Sequence, residues 1–202
     1  MTDLRIVCAH EAAHTVIHAL NPYADVLCLS AVSSTDSGGY CELSMRNGWW
    51  INQLKWDYDD ECYYLPHKQR VSFNHLTDDE KDALISDMQH YVMGALAGHL
   101  FTDIRFPDSN SNSDADEYSE GNDTSTALGV CYAFLDGRKS FDDITVKTID
   151  LLKDRAIAEK IDSLAKVLAT ETVLNKAKIT EVLSPFSVEL RPVPRIVRAT
   201  KV

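Results

Sequence analysis

Apolar positions recur at helical spacing along most of the chain. The first such stretch runs from about Asp3 to Leu20; Thr2 can cap its start, and Asn21-Pro22 stop it. The pattern then shortens to strand length, with Val26, Leu27 and Leu29 to Val32, a Ser37-Gly38-Gly39 turn, and Tyr40 to Met45 as a returning strand. Leu76 to Ile104 predicts a long helix. Thr77-Asp78-Asp79-Glu80 has the form of a capping box, and Leu84, Met88, Tyr91, Val92, Ala95, Leu96 and Leu100 follow at helical intervals. Three more helices are expected: Asp123 to Leu135, closed by Asp136-Gly137; one long helix over Asp142 to Thr170; and a short one over Lys176 to Leu183, ended by Ser184-Pro185.

Three segments break this pattern. Residues 46–70 hold all three tryptophans, Trp49, Trp50 and Trp56, with Tyr58, Tyr63 and Tyr64, and predict no regular element. Packing onto the domain is the simpler reading of these rings; a lid or a subunit contact is the other, since exposed aromatic patches mark interfaces. Residues 107–122 are a Ser/Asp/Asn/Glu stretch read as a solvated, acidic flexible loop, and 185–202 as an extended C-terminal arm. The expected fold class is mainly α (α+β): one domain over residues 1–184 with a small β-sheet.

Composition narrows the function. The chain has 202 residues, 31 acidic against 20 basic, for a formal charge of −11. Nucleic-acid and anionic-lipid binders need basic patches, so neither is expected as a partner. No apolar run approaches the roughly 20 residues that span a bilayer, and no signal-peptide pattern opens the sequence, so a cytoplasmic protein is expected. The five cysteines (Cys8, Cys28, Cys41, Cys62 and Cys131) are widely spaced, without C-x-x-C, and read as reduced thiols; Cys41 with Cys62 is the one pairing left open.

The sharpest chemical signal is His10-Glu11-Ala12-Ala13-His14. Residues four apart share a helix face, so both imidazoles can bind one zinc ion. Glu11 stands beside the first ligand, placed to take a proton from water whose pKa zinc lowers to about 7. With seven His and ten Glu in the chain, chance supplies this spacing about 0.01 times. His18 is excluded from the set, because it lies roughly 12 Å along the axis from His10 and about 80° around it; it reads as a helix-surface or partly buried ring. His67, His75, His90 and His99 follow no ligand spacing. A third ligand is needed, and the sequence offers many acids.

Val7-Cys8-Ala9-His10-Glu11-Ala12-Ala13-His14-Thr15-Val16 resembles the zinc helix of FtsH-type peptidases, the protease halves of membrane-anchored AAA+ proteases. The likeness continues in order. Gly39-Tyr40 resembles that family's strand-forming Gly-Tyr, and Gly94-Ala95-Leu96-Ala97-Gly98-His99-Leu100-Phe101 is similar to its Gly-Arg-Ala-Ala-Glu-Glu helix. Gly121-Asn122-Asp123, followed by Ala127, resembles its Gly-Ala-x-Asn-Asp segment, and Val146 to Leu183 its C-terminal helices. The resemblance covers about residues 4–184 and implies a helical, zincin-like metallopeptidase domain with Asp123 as third zinc ligand. Asp103, Asp116, Glu117 and Glu120 are the fallback ligands. A start-of-helix acid is also favoured by the helix dipole.

There are departures. No ATPase or membrane anchor is seen, the Arg and the acids of Gly-Arg-Ala-Ala-Glu-Glu are replaced, the Pro-Arg-Gly before the Gly-Tyr strand is missing, and 46–70 resembles an insertion. The expectation is therefore a zinc metalloendopeptidase acting on unfolded or flexible polypeptides without its own ATPase, with metal ligands His10, His14 and Asp123 and catalytic base Glu11. Gly39, Tyr40, Cys41 and Glu42 belong to an edge strand expected to align the substrate by backbone hydrogen bonding. A catalytically inactive peptidase-like binding module is the alternative. Self-association and delivery of substrate by a separate unfoldase are left open.

Overall fold

In the computed structural model the first helix, α1 (Leu4–Ala19), runs through the centre of the molecule. From Cys8 to His18 every residue except His10 is buried, as expected of a helix apolar on nearly all sides. Its N-cap is Asp3 rather than Thr2: the Asp3 side chain accepts the Arg5 N–H at 2.9 Å. The structure describes residues 3–21, 24–32, 39–45, 48–66, 76–107 and 122–184. The expected Ser37-Gly38 turn, most of the 107–122 loop and the 185–202 arm lie outside the described residues.

α1 packs against α2 (Asp78–Arg105) and α5 (Arg155–Glu171), while α2 also packs on α3 (Asp123–Phe134) and α4 (Gly137–Leu152). α2 begins with the expected capping box. The Thr77 hydroxyl oxygen accepts the Glu80 N–H, and the Glu80 carboxylate accepts the Thr77 N–H at 2.8 Å. The single helix expected over Asp142 to Thr170 is instead two. It breaks at Lys153-Asp154, where the Asp154 carboxylate caps α5 by accepting the N–H groups of Ala156 and Ile157. Apolar spacing continues across this break because both helices turn their apolar sides to the same core, so periodicity alone hides the corner.

The sheet is antiparallel, in the order β2 (Tyr40–Met45), β1 (Ala24–Ser30), β5 (Val173–Asn175). β2 is thus an edge strand, as expected. Leu27 is the bulged residue of β1, between the pairs Val26↔Leu43 and Cys28↔Glu42. β5 is too short to leave a periodic signal. It forms where Thr172, in the left-handed conformation (φ 59°), ends α5 and turns the chain against β1. α6 (Lys176–Leu183) follows at once, capped by Asn175.

The aromatic segment is structured. A 3₁₀ turn, Gly48–Gln53, leads into a hairpin of β3 (Lys55–Asp57) and β4 (Cys62–Tyr64). Trp50 is fully buried, edge-on to Tyr91 of α2 (5.5 Å) and Phe134 of α3 (5.6 Å), and Trp56 packs on Tyr63 across the hairpin. Trp50 and Trp56 therefore follow the packing reading. The architecture is mainly helical with a small antiparallel sheet, and no helix among the described residues is long and apolar enough to cross a membrane.

Candidate metal centre

His10 and His14 project from one side of α1, and Asp123 reaches them from the first turn of α3. Asn122 sets that turn: its side-chain oxygen accepts the N–H groups of Thr124 and Ser125, which starts the helix at Asp123. The two Nε2 atoms lie 3.0 Å apart, and Asp123 Oδ2 lies 3.1 Å from His14 Nε2 and 3.9 Å from His10 Nε2. The donor atoms of all three residues fall within 4.8 Å of one another. Three electron-pair donors this close repel one another unless a proton or a cation sits among them. His14 is buried, His10 half-buried and Asp123 open to solvent, so the group has a wall and a mouth.

α2 supplies the wall. The Nδ1–H of His14 donates to the Gly94 carbonyl oxygen at 2.7 Å, which fixes the tautomer and turns Nε2 towards Asp123. One helical turn on, Gly98 faces the two rings. A Cβ there would stand 2.6 Å from His10 Nε2 and closer still to His14 Nε2. The gap left by this glycine, together with two imidazole nitrogens and one carboxylate oxygen, fits a divalent cation, and these residues could hold a metal ion.

The charges agree with the geometry. Burial opposes a charge on His14, but Asp123 outweighs it, helped by Glu11, and lifts the His14 pKa to about 9. Burial also works against Asp123, yet His14 and His10 hold its carboxyl well below the usual carboxylate range. Positive charge is therefore stabilised among these three side chains. Glu11 lies beside them, 7% exposed. Burial raises its pKa to about 7, opposed by His14 and reinforced by Asp123.

Gly39 joins the edge strand to this site. A Cβ at Gly39 would collide with the Ser30 carbonyl oxygen and stand 2.5 Å from Cγ of Glu11, so β2 begins against the Glu11 side chain. From there Tyr40 and Glu42 point outward, while Cys41 is half-buried and its sulfur accepts the Thr15 hydroxyl at 3.3 Å. Burial pushes the Cys41 thiol up to about 12. All five cysteines are free.

His18 is not a surface or half-exposed ring: it is 3% exposed, against Gly94, where a Cβ would overlap the imidazole. Burial lowers its pKa to about 3. Neither His18 nor His90, His99 or Asp103 belongs to the metal group. His67, His75, Asp116, Glu117 and Glu120 lie outside the described residues. The roles of the Gly94 carbonyl and of Gly98 are not read from the sequence, although two glycines four apart inside an apolar helix are a signal of close helix approach. No protein-family model matches this chain, and no curated protein matches it.

Proposed function

We propose that this chain is a zinc-dependent metalloendopeptidase, akin to the FtsH-type peptidase domain, that hydrolyses peptide bonds of unfolded or flexible polypeptides without ATP. The observation that carries this reading is the convergence of His10, His14 and Asp123 with buried Glu11 beside them. Two imidazoles and one carboxylate form a three-ligand set, which suits a catalytic zinc better than a closed structural one. When bound, zinc supplies Lewis acidity: it lowers the pKa of water and polarises a carbonyl.

The chain's own residues supply the rest. Glu11 takes the proton of the attacking water and passes it to the leaving amine nitrogen as the C–N bond breaks. His14 is held in the ligating orientation by the Gly94 carbonyl. β2 offers an edge that starts beside Glu11, so an extended peptide paired along it is led past the base. A folded protein cannot present such a strand without local opening, hence the unfolded or flexible substrate.

A second reading, an inactive peptidase-like module that binds polypeptide through the same strand, draws on Gly98 and His99, which stand where the resembled family carries acids. Metal content does not separate the two; turnover does. The test is cleavage of casein by the zinc-loaded chain without ATP, beside Glu11→Gln. Cleavage by the wild type alone supports the peptidase. No cleavage of casein or of short peptides by either protein supports the binding module. Cleavage of short peptides alone supports an enzyme fed by a separate unfoldase.

A further inference from the structure

The outer side of α3 carries a second concave feature. Ser125, Leu128, Gly129 and Tyr132 recur along it roughly 120–180° around the helix from Asp123, so they face away from the metal group, with Ala133 at the edge of the row. Together with Glu61 to Pro66 of the β3–β4 hairpin they line a cavity of about 510 Å³. Its floor is tight: a Cβ on Gly129 would collide with Tyr63. Its rim is aromatic and open, with Tyr64 44% and Tyr132 60% exposed. At one end the hairpin turn places four acids in five residues, Asp57, Asp59, Asp60 and Glu61. Asp57 accepts the N–H groups of Asp59 and Asp60, so the turn is built to hold these acids there.

A groove lined with tyrosines beside a block of carboxylates matches one kind of polypeptide. Prolines in the left-handed polyproline conformation lose little entropy on docking and pack flat against aromatic rings, while flanking arginines pair with carboxylates and stack on tyrosine. The chain contains such a segment, Arg191-Pro192-Val193-Pro194-Arg195. It lies in a basic stretch of an acidic protein: Arg191, Arg195, Arg198 and Lys201 against Glu189 alone over residues 185–202. We propose that the groove between β4 and α3 is the docking site for this C-terminal segment, with Pro192 and Pro194 against the tyrosines and the arginines against the 57–61 turn.

The 202-residue chain can report this directly, because native Cys62 lines the groove and is free. Val193→Cys places a second thiol in the docking segment. Mild oxidation and peptide mapping by mass spectrometry then follow the disulfide that joins Cys62 to position 193. It is expected to form about tenfold faster than the disulfide that joins Cys62 to position 200 in a Thr200→Cys chain. Adding Arg191→Glu and Arg195→Glu should slow it about tenfold, the equivalent of about 1.4 kcal/mol. Tyr132→Ala, at an exposed position and checked for folding by circular dichroism, should slow it as well. The product expected is the one within a single chain; a product formed only between two chains would assign the groove to a second copy and overturn docking of the chain's own segment. Equal rates at positions 193 and 200 would overturn the proposal, as would trapping indifferent to both the arginine and the Tyr132 changes; the groove would then serve another occupant.

Discussion

His14 of α1 donates through Nδ1 to the carbonyl oxygen of Gly94 on α2, and the same pair of helices leaves a side-chain-free gap at Gly98 beside the two Nε2 atoms. The metal group is thus a property of the α1–α2 contact as much as of the His10-to-Glu11-to-His14 spacing. Gly98→Ala tests this. The new methyl would enter the space on which the donors converge, and zinc affinity should fall about 10- to 100-fold, as for changes in the shell around other metal ligands. Alanine gains about 1 kcal/mol of helix propensity, which offsets part of an overpacking cost of about 1–3 kcal/mol, so thermal stability should change little. Gly94→Ala is the comparison. Its methyl strikes the His18 ring rather than the donors, so it should cost more stability than affinity. Chelator competition and thermal melting on both variants give the answer.

Ligand and base should separate under substitution. Asp123→Ala removes one of three donors and should weaken zinc binding by on the order of 100-fold or more. Glu11→Gln keeps every donor and should bind zinc as the wild type does while losing turnover. Metal content after exhaustive dialysis, measured beside peptide cleavage, distinguishes these outcomes. Loss of zinc in Glu11→Gln would make Glu11 part of the metal group and remove it as the base.

His18 should make the fold acid-sensitive. Its folded pKa is depressed to about 3 by burial, below its ordinary value near 6.5. The unfolded chain therefore binds a proton at His18 that the folded chain does not, over the window between those two values. Stability is lost as pH falls below about 6.5, with a slope approaching 1.4 kcal/mol per unit. His14 and Asp123 lie near enough to act on His18, and they titrate in wild type and variant alike, so the quantity to compare is the difference in stability. Between pH 7 and 5 the wild type should lose about 2 kcal/mol more than His18→Gln. Parallel urea-unfolding curves for the two proteins across that range would refute a neutral, buried His18.

Much of this architecture is legible in the residues, and what is hidden is hidden for physical reasons. α1, α2, α3, α6 and the β1–β2 pair carry their own periodicity or caps, Thr77 with Glu80 most plainly. The break between α4 and α5 is hidden because apolar spacing runs straight through Asp154, whose capping role depends on where the chain turns. β5 is three residues long and exists only because β1 is there to pair with it. In the site, a chain-local pattern places His10, Glu11 and His14 together. Asp123 is more than a hundred residues away, and its role comes from family resemblance rather than spacing. Gly94 and Gly98 act through a carbonyl and an absent Cβ, which side-chain patterns do not register.

The cysteines offer an independent check on the packing. Cys8, Cys41 and Cys131 lie in or against the core, and burial raises each thiol, those of Cys41 and Cys131 to about 12. Only a thiolate alkylates, so these three should react with iodoacetamide at pH 8 only through local or global opening. Cys62 is exposed on β4; burial at its edge of the hairpin, then Asp60 and Asp57, raise its thiol. It should label more slowly than a free cysteine yet on the order of 100-fold faster than Cys41 or Cys131. Mass mapping of alkylation over time resolves the five sites. Labelling of Cys131 as fast as Cys62 would mean that α3 does not pack as described, and Asp123, carried at the start of that helix, would lose its support beside His14.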